Sequence, residues 1–456
     1  MSHRSFRLGL PRLCRLGGLA VFWIAAGAAP AAAAGYGLKE HSADAMAAAY
    51  AGAAASDRDA STMVYNPAAA AGVADTDLSA SLVAILPGSS AGYPTAATSA
   101  GNPAGGGRTP RGFISDALVP ALGLRHRLSD RLTVGLSISA PWGLRTDYPA
   151  GWAGRYYAGK TALLTINATP VIAYQLSPEV TLGAGLQIEY AKGTLTSTID
   201  TGTLGALNGI PGAVPGGQDS LARVSGSNWT FGYTLGAMLR PVPGLTLGIA
   251  YRSSLQQDLK GPLTFTLDGA SVGATIKSLT GLFANTRQTT PITMPDMITS
   301  GAREDFSDQW SGMVELDWTH WSRVRQLVVI AANPAQPTDV TALKWKDTLF
   351  GSLGVEYRVS PGWALRAGVA YDESPTTDAT REPRIPDADR IWLSAGARVK
   401  LNDDLDLNVT ASRLFNLSTP VALNPAAPGA ALRGTLAGTT ESYVNVVGLE
   451  LTWRPR

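Results

Sequence analysis

The feature that most constrains this chain is an alternation of apolar and polar residues that returns from about residue 76 to the C-terminus. In "TLGAGLQIEY", Leu182, Leu186 and Ile188 fall on one face, whereas Gln187 and Glu189 fall on the other. The stretches "WALRAGVAYD" and "DLDLNVTAS" alternate in the same way. Because side chains of a β-strand point to opposite faces in turn, each stretch is predicted to be a strand with one apolar and one polar face.

Charge placement favours a membrane barrel over a soluble sandwich. A Lys or Arg that faces lipid near the middle of the bilayer costs about 2–4 kcal/mol. On the apolar face of the predicted strands, the central positions carry no charge. The opposite face carries Arg252, Glu315, Asp317, Glu356 and Arg398. The sequence therefore predicts lipid outside and a polar lumen inside.

Aromatic residues gather toward the ends of the predicted strands, where an interfacial girdle would place them. They are Trp142, Trp318, Tyr357, Trp363, Tyr371 and Trp453.

The connections between strands alternate between very short and long. The predicted strands are 76–86, 118–128, 132–142, 161–176, 180–195, 228–240, 244–257, 292–305, 308–320, 346–358, 362–374, 389–400, 404–416 and 441–453. Short periplasmic turns, long external loops and an even strand number are typical of outer-membrane barrels. We therefore predict an all-β fold, a transmembrane antiparallel β-barrel of about 14 strands over residues 76–456.

The N-terminus predicts export. Residues 1–34 combine a basic start, an apolar stretch and the small residues "PAAAAG", which is the order of a cleaved signal peptide. Removing its four arginines leaves 33 basic against 35 acidic residues, so no basic excess indicates nucleic-acid binding. Cys14 is the only cysteine and lies within this segment. After it, no apolar run is long enough for a membrane helix.

Residues 35–75 lack the alternation and are rich in small, helix-favouring residues. Asn66 is predicted to cap a short helix that has Pro67 and Ala68 in its first turn and Gly72 as its stop. The tripeptide Asn-Pro-Ala recurs in Gly/Pro-rich loops, at 102–104, 333–335 and 424–426, where it is attributed to composition.

Five longer stretches carry specific patterns: "APWGLRTDYPAGWAGRYYA", "MPDMITSGARE", "DQWSGMVELDWTHWS", "WKDTLFGSLGVEYRVSPGWALRAGVAYDESP" and "RIPDADRIWLSAGARVKLNDDLDLN". Together they resemble the FadL/TodX family of outer-membrane transporters for hydrophobic compounds. The resemblance implies that residues 35–75 form a hatch inside the barrel, and that Asn66-Pro67-Ala68 is the hatch motif. It also implies capture of substrate outside and lateral release through the wall beside a kinked third strand.

Candidate site residues follow from these segments. Trp152, Arg155, Tyr156, Lys160 and Arg252 are the candidates for binding substrate, with Arg240 as a further cation.

Two prolines are candidates for the lateral portal, because a strand proline removes one ladder donor. Pro141 ends the third predicted strand and Pro170 interrupts the fourth, so the wall is expected to be weakest between these strands; a simple bulge is the alternative.

The predicted function is passive uptake of long-chain fatty acids or similar hydrophobic compounds. Aromatic hydrocarbons taken up by the same route, or a general diffusion porin, remain alternatives. The motif "GSSAG" around Ser90 opens a predicted loop without helical periodicity, so it does not predict an enzyme. No cofactor and no metal site are predicted. The expected partners are the hydrophobic substrate, outer-membrane lipids and the barrel-assembly machinery, with the protein a monomer in the bacterial outer membrane.

Overall fold

The structure is a computed structural model that describes residues 35–72, 75–267, 272–424, 426 and 430–455. The predicted signal peptide, residues 1–34, lies outside the described residues. Among the described residues, no helix has both the length and the hydrophobicity needed to cross a membrane.

Fourteen antiparallel wall strands form a closed barrel, because the first strand pairs with both the second and the last. In chain order the strand segments are β1 Thr76–Ala97, β2 Ala117–Arg127, β3 Leu132–Ser139, β4 Gly143–Asp147, β5 Lys160–Gln175, β6 Val180–Asp200, β7 Asp219–Val242, β8 Leu245–Arg252, β9 Leu255–Thr266, β10 Thr286–Met294, β11 Met297–Asp305, β12 Trp310–Thr319, β13 Gln326–Ala331, β14 Asp339–Ala342, β15 Thr348–Ser360, β16 Trp363–Asp372, β17 Arg390–Lys400, β18 Leu405–Asn416, β19 Thr419–Leu423 and β20 Thr435–Trp453.

Three wall strands consist of two segments each. β3 and β4 both pair with β5 and form the third wall strand. β8 and β9 both pair with β7 and form the seventh wall strand. β11 pairs with β8 and β10 pairs with β9, and these two segments form the eighth wall strand. The eighth strand, which has the weakest alternation, is therefore a genuine wall strand with an interruption in its middle.

Exposure along the strands is the reverse of that in a soluble protein. The apolar-phase side chains Leu353 and Val369 are 63% and 48% exposed, whereas Glu356 and Glu315 in the opposite phase are 0% and 2% exposed. Charged groups leave water only when they are paired or hydrogen-bonded, and the lumen supplies those partners. The pattern confirms the predicted apolar outer face and polar interior.

Several strands extend further than predicted. β1 continues to Ala97, β7 begins at Asp219 and β20 begins at Thr435, all inside stretches predicted to be loops. These extensions project beyond the bilayer, where no lipid-facing apolar residues are required. Their Gly-, Ser- and Thr-rich backbones therefore pair as strands without an apolar face. Ser90 consequently lies within a strand, paired with Glu441, and not at a strand-to-helix turn.

Two other expectations are wrong. Trp142 does not belong to an interfacial girdle, because it is 3% exposed and packs against Tyr36 and Trp321 inside the barrel. Residues 373–389, of which 375–388 were predicted to be an external loop, fold inward, and most of them are buried. We call this segment the inward loop. Tyr148 donates its hydroxyl hydrogen to Pro383 O at 2.9 Å, and Thr146 donates to Arg384 O at 3.1 Å, which fixes the loop against the wall.

Residues 35–72, which we call the hatch, occupy the lumen. They form helix α1 Ala43–Met46 and the 3-10 helices Ala53–Ala55, Ala60–Val64 and Pro67–Ala71. Three other helices are found among the described residues: α2 Thr201–Leu207 and α3 Val272–Thr280 belong to external loops, and the 3-10 helix Trp321–Arg323 follows β12. Every residue from Ala43 to Ala55 is buried, so this part of the hatch has neither water nor lipid around it.

Candidate functional site

Small residues on both sides allow the hatch to rest directly on the wall. A Cβ added to Gly248 would lie 1.9 Å from Ala54 O, and one added to Gly183 would lie 2.2 Å from Ala68 N. No larger residue fits at these positions without moving the hatch or the strand. The alanine-rich composition of the hatch therefore follows from its backbone lying against the barrel wall.

Buried ion pairs fix the hatch at its sides. Arg366 of the wall bonds Asp44 of the hatch at 2.5 Å and Glu356 at 2.6 Å, and Arg58 of the hatch reaches Glu356 at 2.7 Å. Arg125 of the wall bonds Asp77 at 2.8 Å and donates to two hatch carbonyls. Removing one partner of such a pair leaves a buried charge uncompensated, so the network resists displacement of the hatch.

The tripeptide at residue 66 joins the hatch to itself and to the wall. Asn66 Oδ1 accepts from Ala68 N at 2.9 Å, and its Nδ2 donates to Ala54 O at 2.7 Å and to Ala237 O at 3.1 Å. Pro67 is the first residue of the helix and Gly72 ends it. The predicted cap is confirmed, on a 3-10 helix.

Two other copies of the tripeptide share its local turn, and Asn333 also donates its Nδ2 hydrogen to Gly281 O of another external segment at 3.0 Å. Asn333 Oδ1 and Asn424 Oδ1 each accept from the backbone N–H two residues later, at 3.0 Å. Both residues lie in external segments, and Pro425 lies outside the described residues. The local geometry is thus common, whereas bonds to another part of the hatch and to the wall distinguish Asn66.

An inner cavity lies above the hatch and has a volume of about 80 Å³. Its lining is largely apolar and aromatic, and includes Leu38, Tyr65, Trp142, Phe350 and Trp392. Two indole N–H groups in this lining, those of Trp142 and Trp392, have no hydrogen-bond partner among the described residues. The cavity can accept an apolar molecule and offers donors for a polar end group.

Charged groups also reach the inner cavity. Arg252, a predicted binding residue, lines it while donating to Gln187 Oε1 at 2.8 Å and to Val64 O at 3.0 Å. Lys39 pairs with Asp317. Burial lowers the pKa of His41 to about 3, so its ring is neutral at physiological pH.

Two larger spaces accompany the inner cavity. The middle chamber, of about 530 Å³, is lined by Tyr36, Leu163, Leu259, the inward loop and residues 323–328. The outer groove, of about 370 Å³ and partly open to solvent, lies among the external loops and includes Leu204, Phe265, Phe283 and Leu432 in its lining. Both linings contain Leu195, Leu327 and Arg384, so the two spaces meet at these residues.

An aromatic cluster separates the middle chamber from the inner cavity. Tyr36 contacts Trp142, Trp321 and Trp345 with ring centroids 6.0, 4.8 and 5.5 Å apart. The first described residue, Gly35, donates its backbone N–H to Asp387 of the inward loop at 2.9 Å. Burial raises the pKa of Asp387 to about 6. The beginning of the hatch thus lies between two apolar spaces.

The predicted binding residues are divided between cavities and loop packing. Tyr156 lines the outer groove and donates to Asp219 at 3.0 Å. Trp152 is 2% exposed and donates its indole N–H to Ala158 O at 2.7 Å, and Arg155 bonds Asp219 at 2.7 Å and Ala104 O at 2.8 Å. These last two residues hold external loops together.

The remaining predicted cations have other surroundings. Lys160 lies 3.8 Å from Asp147, and both side chains are exposed. Arg240 pairs with Asp57 of the hatch at 2.5 Å and therefore belongs to the hatch anchors. Neither residue lines the inner cavity, the middle chamber or the outer groove, so a basic residue type alone was a poor guide to substrate-binding residues.

Sequence reasoning missed the residues that form the cavity walls. Tyr36, Trp321, Trp345, Phe350 and Trp392 were not singled out. A signal existed for Trp392, which stands in the polar phase of β17 between Ile391 and Leu393, so it was an aromatic residue predicted to face inward. The residues of loops and the hatch gave no periodic signal.

The wall has a gap beside Pro141. Pairing between β2 and β3 ends at Leu122 and Ile138, and no described pair joins residues 117–121 of β2 to residues 139–143. Contacts resume above the gap, where Ser115 donates its N–H to Arg145 O at 3.2 Å. Pro141 lies in the break between β3 and β4 and lines the inner cavity.

The position of the gap differs from the expected one. Pro170 is paired with Leu136, and β3 remains paired with β5 up to Ser139 and Asn167. The third and fourth wall strands are thus joined below the break, whereas the second and third separate over a longer stretch. Residues Val119 and Ala140 at this gap belong to the same apolar cluster as Leu38 and Phe350.

The closed barrel, its lumen filled by a hatch and its apolar spaces arranged in series, defines an outer-membrane channel for hydrophobic compounds and not an enzyme. The chain belongs to the family described as outer membrane protein transport protein (OMPP1/FadL/TodX), whose sequence profile matches residues 24–454.

Known proteins agree in sequence and in fold. The chain is 27% identical over 435 residues to the long-chain fatty acid transport protein of Escherichia coli (strain K12), covering 90% of this chain and 94% of that protein. It superposes on a crystal structure of a Pseudomonas aeruginosa FadL homologue with a TM-score of 0.84 at 26% identity, covering 92% of this chain and 100% of that one. The Pseudomonas putida toluene transporter TodX shares the fold, with a TM-score of 0.64 at 17% identity over 87% of this chain and 94% of that one.

Proposed function

We propose that this protein carries long-chain fatty acids or similar hydrophobic compounds passively across the outer membrane. The observation that supports this most strongly is the series of outer groove, middle chamber and inner cavity, which are lined by apolar and aromatic side chains and end at the hatch. The similarity to a long-chain fatty acid transport protein agrees with it. A general diffusion porin would have no use for a lumen filled by residues 35–72.

We propose further that substrate leaves through the gap between β2 and the third wall strand. The hatch blocks the axial route through direct wall contacts and buried ion pairs. The gap borders the apolar lining of the inner cavity, so an apolar molecule could pass into lipid without crossing water. Pro141 supports the break, because proline provides no N–H for pairing.

A bulky side chain in the gap tests the lateral route. Ala140, 8% exposed, lies in the break. We expect Ala140→Trp to lower fatty acid uptake several-fold while binding to purified protein stays unchanged, since only the exit is obstructed. The control is Ala121→Ser, which adds one hydroxyl group at the border. Normal uptake by a correctly folded Ala140→Trp protein would rule out this exit.

Chain length provides the test of the transport proposal itself. Each buried CH2 contributes about 0.8 kcal/mol, which corresponds to roughly fourfold tighter binding per carbon while the chain still fits. We expect affinity for saturated fatty acids to rise from eight carbons upward, measured by equilibrium binding to purified protein. Equal affinities across the series would contradict an apolar binding path.

Export and assembly complete the proposal. We infer that residues 1–34 are a cleaved signal peptide, that the barrel-assembly machinery inserts the chain into the outer membrane, and that it acts there as a monomer. Trp453 is the last residue of β20 and faces outward at 48% exposure, as an aromatic signal for assembly would. Arg454 after it donates to Asp406 at 2.6 Å and to Arg58 O of the hatch at 3.1 Å, so the basic tail anchors the hatch.

A further inference from the structure

Arg384 is a buried cation at the junction of two apolar spaces. It lines both the outer groove and the middle chamber, next to Leu195 and Leu327, and its side chain is almost inaccessible, with the residue 6% exposed. Its backbone is held in place by the bond from Thr146. A molecule that moves from the groove to the chamber past these shared residues meets this guanidinium group.

The guanidinium of Arg384 is only partly compensated within the described part of the chain. Its Nη1 donates to Thr196 O at 3.1 Å, and no described carboxylate forms an ion pair with it. The carboxylates of Glu382 and Asp339 still act on it electrostatically from a greater distance and oppose the lowering of its pKa. The nearby acids are paired elsewhere, since Arg433 bonds both oxygens of Asp339 at 2.9 Å and approaches Glu382 at 3.5 Å. Burial lowers the pKa of Arg384 to about 10, which leaves it charged at neutral pH.

A buried cation without a direct ion pair is costly, and an anionic ligand would reduce that cost. Guanidinium also fits the geometry of a carboxylate better than any other side chain. We propose that Arg384 binds the carboxylate of a passing substrate at the junction of outer groove and middle chamber. The protein therefore selects amphiphilic monocarboxylates over neutral hydrocarbons. This inference rests on the proposed uptake function.

The surroundings of Arg384 fit such a ligand. Leu195 and Leu327 provide apolar contacts on either side of the junction, and the linings continue into Leu263 and Phe265 outward and Leu163 and Leu259 inward. A fatty acid can therefore keep its chain in apolar surroundings while its head group meets the cation. A neutral hydrocarbon gains the apolar contacts alone.

A matched pair of ligands tests the proposal. Initial uptake of dodecanoate and of its methyl ester is compared in cells that depend on this protein, for wild type, Arg384→Gln, Arg384→Lys and Arg381→Gln. A charge-assisted hydrogen bond is worth roughly a tenfold change in affinity or more. We expect Arg384→Gln to lower the acid-to-ester uptake ratio about tenfold, and Arg384→Lys to retain most of the preference.

Arg381→Gln is the control, because Arg381 is buried in the same inward loop but pairs with Asp378 at 2.5 Å. It should leave the acid-to-ester ratio unchanged even if it disturbs the loop. The ratio within one variant does not depend on how much protein folds. An unchanged ratio in Arg384→Gln overturns the assignment of Arg384 alone, whereas wild-type cells that take up neither ligand overturn the proposed uptake function.

Discussion

Asn66 illustrates what single residues contribute here. Its side chain caps the helix that begins at Pro67 and also bonds Ala54 O and Ala237 O, so one amide joins two parts of the hatch and the wall. The cap was predictable from the sequence, since it depends on residues adjacent in the chain. The bond to the wall was not, because it joins residues 171 positions apart.

At this scale we predict that Asn66→Ala destabilises the hatch. Loss of the cap costs about 1 kcal/mol, and the carbonyl groups of Ala54 and Ala237 lose a donor. We expect faster proteolysis within residues 35–72 of the purified protein, with the barrel intact. Asn333→Ala is the matched control, because it removes the same local turn, together with one bond to Gly281 O, from the external loops and leaves the hatch untouched. Equal proteolysis of the two variants would contradict a special role for Asn66.

Among elements, the wall strands were the most predictable and the inward loop the least. Lipid imposes the alternation in every wall strand, so residues such as Leu353 and Glu356 reveal their faces without further information. No such constraint acts on the inward loop, whose positions are decided by contacts with β4 and the hatch. Arg384, which lines two of the apolar spaces, and Asp387, which accepts from the Gly35 N–H, were therefore missed.

The contact between hatch and wall provides the prediction at the element scale. Arg366→Met leaves Asp44 and Glu356 with fewer buried partners, and the loss of one partner of a buried pair costs about 3–5 kcal/mol. A loosened hatch should admit ions, so we expect increased conductance of the variant in planar bilayers.

The control for this prediction is Lys400→Met, since Lys400 pairs with Asp403 at the exposed periplasmic end of the barrel. Its conductance should equal that of the wild type. If Arg366→Met also conducts like the wild type, the ion pairs are not what fixes the hatch.

In the whole molecule, the proposed lateral route follows from what each route offers. The axial route is closed by alanine backbone against wall glycines and by buried charges, whereas the gap beside Pro141 borders the apolar lining of the inner cavity. The number of strands and the inside-out arrangement were predictable, because closure and lipid contact are global constraints on every strand. The place of the gap was not, because it depends on which neighbouring strand loses its pairing.

The central claim is that substrate leaves sideways while the hatch stays in place, and a tether between hatch and wall tests it most directly. A Cβ on Gly448 would lie 3.1 Å from the Cβ of Ala43 in α1, so a small shift permits a disulfide in Ala43→Cys/Gly448→Cys. Cys14 is the only native cysteine. We predict that fatty acid uptake is the same with the tether oxidised or reduced. Uptake that stops on oxidation and returns on reduction, with each single variant unaffected, would show that the hatch must move and would contradict the lateral route.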